Sequence, residues 1–293
     1  MTVMKKLALF FVALLALTSS VWAAETVVTV KGSDTMVILG QRWAEQYMKR
    51  RPGAQIQVTG GGSGTGISAL INGTTDICAA SRVMKPSERK KLRERYATPG
   101  VEIPVAMDGL AVYVNQSNPV GELSFQQLRD IFSGRVTNWK QLGGPEATII
   151  VYSRENSSGT YVFFKDLVLG GSDFTARAQA LPGTAAVVNA VVHERNSIGY
   201  GGAAYAKGIK VLRVRRDASS PAVAPSAQAV AAGTYPLARP LYYYLRSEPR
   251  GAIKDYLDWV LSPAGQAIAT EVGFFPLRSG GVGRADTRRQ ERL

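Results

Sequence analysis

Cysteine and histidine are almost missing from this chain: Cys78 and His193 are the only ones in 293 residues. A single thiol closes no internal disulfide, so a packed core must hold the fold. One thiol and one imidazole leave no ligand set for zinc or haem, and no cofactor or metal is expected. A serine nucleophile wants a nearby base, and His193 is the sole histidine to supply one. The Asp/His clusters of a metal phosphatase are missing too, so no catalytic residue and no enzyme activity are expected. Beyond the N-terminal segment no apolar run reaches the ~20 residues that span a bilayer. Cys78 itself lies in the apolar run Asp76-Ile77-Cys78-Ala79-Ala80 and reads as an inert buried thiol. His193 sits among charged neighbours in a helical run from Ala185 to Arg195 and reads as a surface residue.

Acidic residues are also in deficit: 22 against 35 basic ones, for a net charge of +13. The excess gathers at Arg82 to Arg95 and at Arg284 to Arg292 without interleaved aromatics, so nucleic acid is not the expected partner. Small anions or acidic surfaces suit this charge better. What the chain does have at its start is a leader pattern. Lys5 and Lys6 precede the apolar Leu7 to Leu17, and Val21-Trp22-Ala23 offers small residues to a signal peptidase, which places cleavage after Ala23. No cysteine for a lipid anchor follows. The expected mature protein is exported, into a bacterial periplasm.

The remaining chain alternates strands and helices. Thr26 to Lys31, Ile56 to Thr59 and Ile77 to Ala80 read as strands; Met36, Leu39, Trp43, Tyr47 and Met48 recur at helical spacing, as do Ile67, Leu70 and Ile71. This is the pattern of a mostly parallel sheet covered by helices, whose ligands gather at the carboxyl ends of strands. Ile103 to Val114 is a long apolar run interrupted at Asp108-Gly109, suited to crossing into a second lobe, and Pro240 to Leu245 suits the return. Between them, Phe125 to Phe132 and Tyr161 to Leu169 read as helices, and Thr148 to Tyr152, Ile198 to Ala204 and Ile209 to Val214 as strands. Ile253 to Leu261 and Gly265 to Val272 read as closing helices. The expected division is a signal peptide over 1–23, one lobe from 24–107 and 241–278, a second from 108–240, and a basic disordered tail over 279–293.

Three stretches place small hydroxyl residues and glycines where a helix is about to begin: Gly32-Ser33-Asp34-Thr35, Gly60 to Gly66 around Ser63, and Arg154 to Thr160. Helix starts carry unpaired N–H groups and partial positive charge, so each is a potential anion site. The guanidinium of Arg154 offers a planar fork that matches two oxygens of a tetrahedral anion, Ser158 and Thr160 add hydroxyls, and Gly159 lets the backbone approach. Each start also has a plainer reading, as a helix cap or tight turn. Asp34 either caps its helix or accepts a hydrogen bond from a protonated oxygen, which would favour hydrogenphosphate over sulfate. Arg82, after Ser81 at a strand end, is either a second cation for the ligand or the start of the basic helix. The glycine-rich turn lacks the lysine of a phosphate-binding P-loop and the first-third-sixth glycine spacing of a dinucleotide site. Gly62-Ser63-Gly64 does not have the spacing of a hydrolase nucleophile elbow.

Together with Asp76 to Arg82, Phe132-Ser133-Gly134, Asn138-Trp139, Ile198-Gly199-Tyr200, Tyr235-Pro236-Leu237 and Arg239-Pro240-Leu241, these motifs resemble the exported phosphate-binding proteins of high-affinity phosphate ABC transporters, in the type II periplasmic binding protein superfamily. The likeness runs from Val30 to about Pro276. It implies an α/β, two-lobed fold with mixed sheets and two crossing hinge strands, and a monomer that binds inorganic phosphate between its lobes and hands it to a membrane permease. By position it implies Ser33, Asp34, Thr35, Ser63, Ser81, Arg82, Arg154, Ser158, Gly159 and Thr160 as the ligand set. Arg82 departs from some well-studied members, which carry an aspartate there as the acceptor of the phosphate proton, and resembles a branch with the Ser-Arg form; the acceptor role would then fall to Asp34 or Asp108, of which Asp34 is the expected one. A binder or sensor of a sulfate-like oxyanion, and a secreted phosphatase, are the rival readings.

Overall fold

In a computed structural model, residues 27–277 are described; the expected leader and basic tail lie outside them. The chain runs β1 (Val27–Gly32), α1 (Val37–Arg50), β2 (Gln55–Thr59), α2 (Ser63–Asn72), β3 (Ile77–Ala80), α3 (Pro86–Tyr96) and β4 (Val101–Val114). It continues through β5 (Glu122–Ser124), α4 (Phe125–Phe132), β6 (Ile150–Arg154), α5 (Gly159–Leu167), β7 (Gln179–Leu181), α6 (Gly183–His193) and β8 (Ser197–Gly202). Last come β9 (Lys210–Val211), β10 (Arg213–Arg215), α7 (Ala227–Ala231), β11 (Ala238–Leu245), α8 (Gly251–Leu261) and α9 (Pro263–Val272).

One curled sheet orders these strands β2-β1-β3-β11-β4-β8-β6-β7, with β9 also on β4. The two-lobed shape follows from β4. Its first part, to Gly109, pairs antiparallel with β11; from Leu110 onward it pairs with β8. One strand therefore belongs to two half-sheets, and β11 returns the chain beside it. The result is the mixed α/β, two-lobed arrangement with two crossing strands that the sequence implies.

Alternation along these strands explains the layers, since successive side chains face opposite sides of a sheet. In β3, Ile77 and Ala79 join a core with Leu39, Trp43 and Tyr256, while Cys78 and Ala80 join another with Leu70, Leu92 and Tyr244. In β4, Leu110, Val112 and Val114 face Phe132, Trp139 and Tyr200, while Ala111 and Tyr113 face Val187 and Val191. Both faces are buried, so the strands read as continuous apolar runs. Cys78 is fully buried, and burial pushes its thiol well above the ordinary range; His193 is exposed.

Two segments differ from the sequence reading. The single strand expected over Ile209 to Val214 breaks at Leu212, whose buried side chain joins the core of Leu110, Phe132 and Trp139 while its N–H bonds Val112 O. The chain there leaves β4 and, as β10, pairs with β5. The strand expected over Ile198 to Ala204 stops at Gly202 and turns into a short 3-10 helix, Ala203–Tyr205. Among the described residues no helix is long and apolar enough to cross a membrane.

Candidate functional site

Parallel order delivers the carboxyl ends of β1, β2 and β3 to one edge of the first lobe, and β6 brings its own end to them from the second. The ends of β1, β2 and β6 each lead into a helix start, and Ser81 follows the end of β3. Ser33 precedes a 3-10 turn at Asp34–Met36 that runs into α1, Ser63 is the first residue of α2, and Ser158 caps α5. None of Ser33, Thr35, Ser63, Ser81, Ser158 and Thr160 is more than 3% exposed.

Four of the six hydroxyl oxygens accept from a named donor, three of them from an N–H group. Ser63 Oγ accepts from the Ser81 N–H (3.1 Å), Ser81 Oγ from Ser33 Oγ (2.9 Å), and Ser158 Oγ from the Tyr161 N–H (3.3 Å). Thr160 Oγ1 accepts from Arg239 Nη2 at 2.9 Å. A hydroxyl has one proton to give, and an oxygen that already accepts from a fixed donor has that proton free to point at a ligand. Among the described residues no carboxylate or histidine hydrogen-bonds these six hydroxyls.

The lobes meet at this cluster. Thr35 Oγ1 lies 2.9 Å from Thr160 Oγ1, the Gly64 N–H donates to Ser157 O at 2.8 Å, and the Tyr205 hydroxyl donates to Asp34 O at 2.7 Å. Glycine is required where the backbones pass. A Cβ on Gly159 would stand 2.3 Å from Ser63 Oγ, and one on Gly62, whose φ is +93°, would stand 2.7 Å from Ser157 O. A side chain at either position would wedge the lobes apart.

Arg154 ends β6 inside this contact. Its Nη2 donates to Asp34 Oδ2 across the cleft (2.9 Å) and its Nη1 to Thr184 Oγ1 (2.9 Å). Its Nε is buried with no hydrogen-bond partner among the described residues. Burial lowers the pKa of the guanidinium below the usual arginine value and Asp34 pulls it back up, so it stays charged. Asp34 Oδ1 meanwhile accepts from the Gly61 N–H at 2.8 Å. Beneath Arg154, Ser153 bonds the Tyr200 hydroxyl (2.9 Å), and the Tyr200 ring stacks on Phe164 with centroids 4.2 Å apart. Arg154 and Asp34 cancel in charge, so oriented donors rather than net charge would hold an anion here.

Nine of the ten sequence-predicted residues come together in this way. The fork of Arg82 does not: Nη2 donates to Glu88 Oε1 (2.7 Å), and Nη1 to Glu88 Oε2 (2.8 Å) and to Val83 O (3.0 Å). A carboxylate three residues into α3 has captured it, which revises the idea of a second cation over the ligand. Its Nε is buried and without a partner among the described residues.

The residues that sequence reasoning missed are Arg239 and Thr184. Arg239, on β11, pairs with the buried Asp108 of β4 through Nε (3.1 Å) and Nη2 (2.8 Å). Burial raises the pKa of Asp108, and Arg239 opposes that rise. Among the described residues no group of three His, Cys, Asp or Glu is placed to hold a metal.

Comparison with known proteins identifies the family. A profile described as a PBP superfamily domain matches residues 20–264. The phosphate-binding protein PstS of Pseudomonas aeruginosa is 34% identical, over 84% of this chain and 81% of its own length. PstS of Bacillus subtilis is also 34% identical, over 85% and 80%. Among solved structures, a phosphate ABC transporter substrate-binding protein from Clostridium perfringens, with bound phosphate, superposes with a TM-score of 0.79 at 28% identity, covering 86% of this chain and 100% of that one. An ABC-type phosphate transport receptor from Vibrio cholerae superposes at 0.69 with 30% identity, over 85% and 100%.

Proposed function

The chain belongs to the PBP superfamily, among the phosphate-binding proteins it aligns with, and on that premise we propose that it is the phosphate-binding subunit of an ABC importer. One observation carries the reading: buried hydroxyls from both lobes, three of which (Ser63, Ser158 and Thr160) already accept from an N–H donor and so have a proton to give, gather about an arginine whose Nε has no partner among the described residues. A tetrahedral oxyanion stripped of water needs many donors and tolerates few acceptors. Ser33, Thr35, Ser63, Ser81, Ser158 and Thr160 donate hydroxyl protons, Gly159 and its neighbours donate amides at the start of α5, and Arg154 donates through Nε. Asp34 is the acceptor for a protonated oxygen. Arg82 stands behind Ser81 as a scaffold.

In this reading residues 24–107 with 241–278 form one lobe and 108–240 the other, and closure around phosphate presents both to a membrane permease. The protein acts as a monomer in the periplasm after cleavage behind Ala23, and turns nothing over. The test is calorimetric titration of the mature chain, unfolded and refolded to strip bound anion, with phosphate and then sulfate. Tight one-to-one phosphate binding, weakened at least tenfold (~1.4 kcal/mol) by Arg154→Ala, is the expected result. No heat with phosphate sinks the proposal.

A second reading, another tetrahedral oxyanion, gains from one feature: each carboxylate oxygen of Asp34 already takes a donor from the protein. Sulfate binding as tight as phosphate would put that reading first.

A further inference from the structure

The inference concerns Arg239 and rests on the reading of the cleft as a phosphate site. Arg239 stands opposite Asp108 in the ladder of the two crossing strands, and its side chain is 2% exposed. Its partners come from three directions. Nε and Nη2 hold Asp108 on β4; Nη1 donates to Ser81 O, just past β3, at 3.0 Å. Nη2 also donates to Thr160 Oγ1 on α5, and the guanidinium carbon lies 5.1 Å from the ring centroid of Phe163 on the same helix. Ser81 belongs to the first lobe's half of the cluster, Thr160 and Phe163 to the second's.

A guanidinium accepts no hydrogen bond, so Thr160 Oγ1 can only accept from it, and its own proton must point to Thr35 or to a ligand. We infer that Arg239 is a positioning residue that couples phosphate binding to lobe closure, its fork joining the Ser81 carbonyl of one lobe to the Thr160 hydroxyl of the other and fixing that hydroxyl as a donor. Asp108 balances the charge of Arg239, so the pair adds no long-range pull on the anion. Its contribution is geometric. Arg239 and Asp108 face each other where the two crossing strands pass between the lobes, so parting the lobes separates Ser81 from Thr160 and breaks the span that the fork makes between them. Lysine can keep the charge beside Asp108, but one ammonium reproduces neither the planar span from Ser81 to Thr160 nor the stack on Phe163.

Phosphate titration of the full mature chain tests this, on wild type, Arg239→Lys, Thr160→Val and the double variant, with X-ray scattering with and without saturating phosphate. Arg239→Lys is expected to melt near wild type yet bind phosphate about tenfold or more weakly. In the Thr160→Val background the same change should cost at most about twofold, because the group it acts through is gone. Phosphate should compact wild type more than it compacts Arg239→Lys, a readout that a purely structural ion pair leaves unmoved. If Arg239→Lys does not fold, the charge-free pair Asp108→Asn with Arg239→Gln takes its place, with the same expected loss. Wild-type binding with either replacement within about twofold of it, or losses that add fully in the double variant, would overturn the inference alone. A wild type that binds no phosphate overturns the phosphate reading, and this inference falls with it.

Discussion

Arg154 and Arg239 are both buried and both face an aspartate, but Arg154 reaches its carboxylate across the cleft with one nitrogen, whereas Arg239 holds Asp108 with two along a shared ladder. Asp34 keeps 17% of its side chain in contact with solvent; Asp108 keeps 1%. Arg154 has a donor to spare, while every nitrogen of Arg239 is engaged by Asp108, Ser81 or Thr160. The first pair has the form of a contact made and broken with the cleft, the second of one kept through that motion. A buried ion pair is thus informative for where its two halves are anchored rather than for its length.

The largest effect expected is on the permanent pair. Asp108→Ala strands a buried guanidinium and should cost about 3 to 5 kcal/mol in urea unfolding. A loss below about 1 kcal/mol would erase the distinction drawn here. Arg154→Ala should cost distinctly less stability in the same assay, because Asp34 lies at the cleft's edge where water can reach it; equal losses would make both pairs structural.

A third pair sharpens the scale. Glu88 sits at the mouth of α3 with Arg82, and although burial raises its pKa, the bonds from Arg82 and the Lys85 amide outweigh that and hold it below the ordinary 4.5. A carboxyl with a depressed folded-state pKa stabilises above its unfolded value and loses that contribution as pH falls through the folded one. Glu88→Gln should therefore cost about 2 kcal/mol at neutral pH. Its gap from wild type should close as the pH drops below 4.5, and a gap independent of pH would deny the ion pair. The smallest effect belongs beneath Arg154: Tyr200→Phe removes the Ser153 bond but keeps the stack, at about 1 kcal/mol in unfolding with little change in phosphate affinity.

Much of this arrangement is legible without coordinates, because it is written locally. Helix starts carry their own signature, so Ser33, Ser63 and Ser158 stand out by neighbours alone, and the break at Asp108-Gly109 marks the strand that changes lobes. The role of Arg239 could not be found this way, although Arg239-Pro240-Leu241 is among the motifs that carry the family resemblance. Arg239 is one arginine in a β-like run, and its partners at residues 81, 108 and 160 are brought to it only by topology. The direction of Arg82 was a closer miss. Glu88, placed to bond back to the Lys85 N–H, is a helix-start carboxylate visible in the sequence, and it is what takes the arginine away from the cleft. The break at Leu212 depends on which sheet offers a free edge, which no local pattern encodes.

The place of β11 in the sheet governs the order in which the protein can assemble. It lies between β3 and β4, so Ala80 finds its neighbour only when Tyr242 has been made. A chain interrupted before residue 238 leaves two apolar strand edges bare side by side, the kind that recruit other chains. The second lobe's strands β4, β6, β7 and β8 are complete long before then. The half made first is therefore the half finished last, and its closure, a pairing of distant residues, is the slow event to look for in refolding.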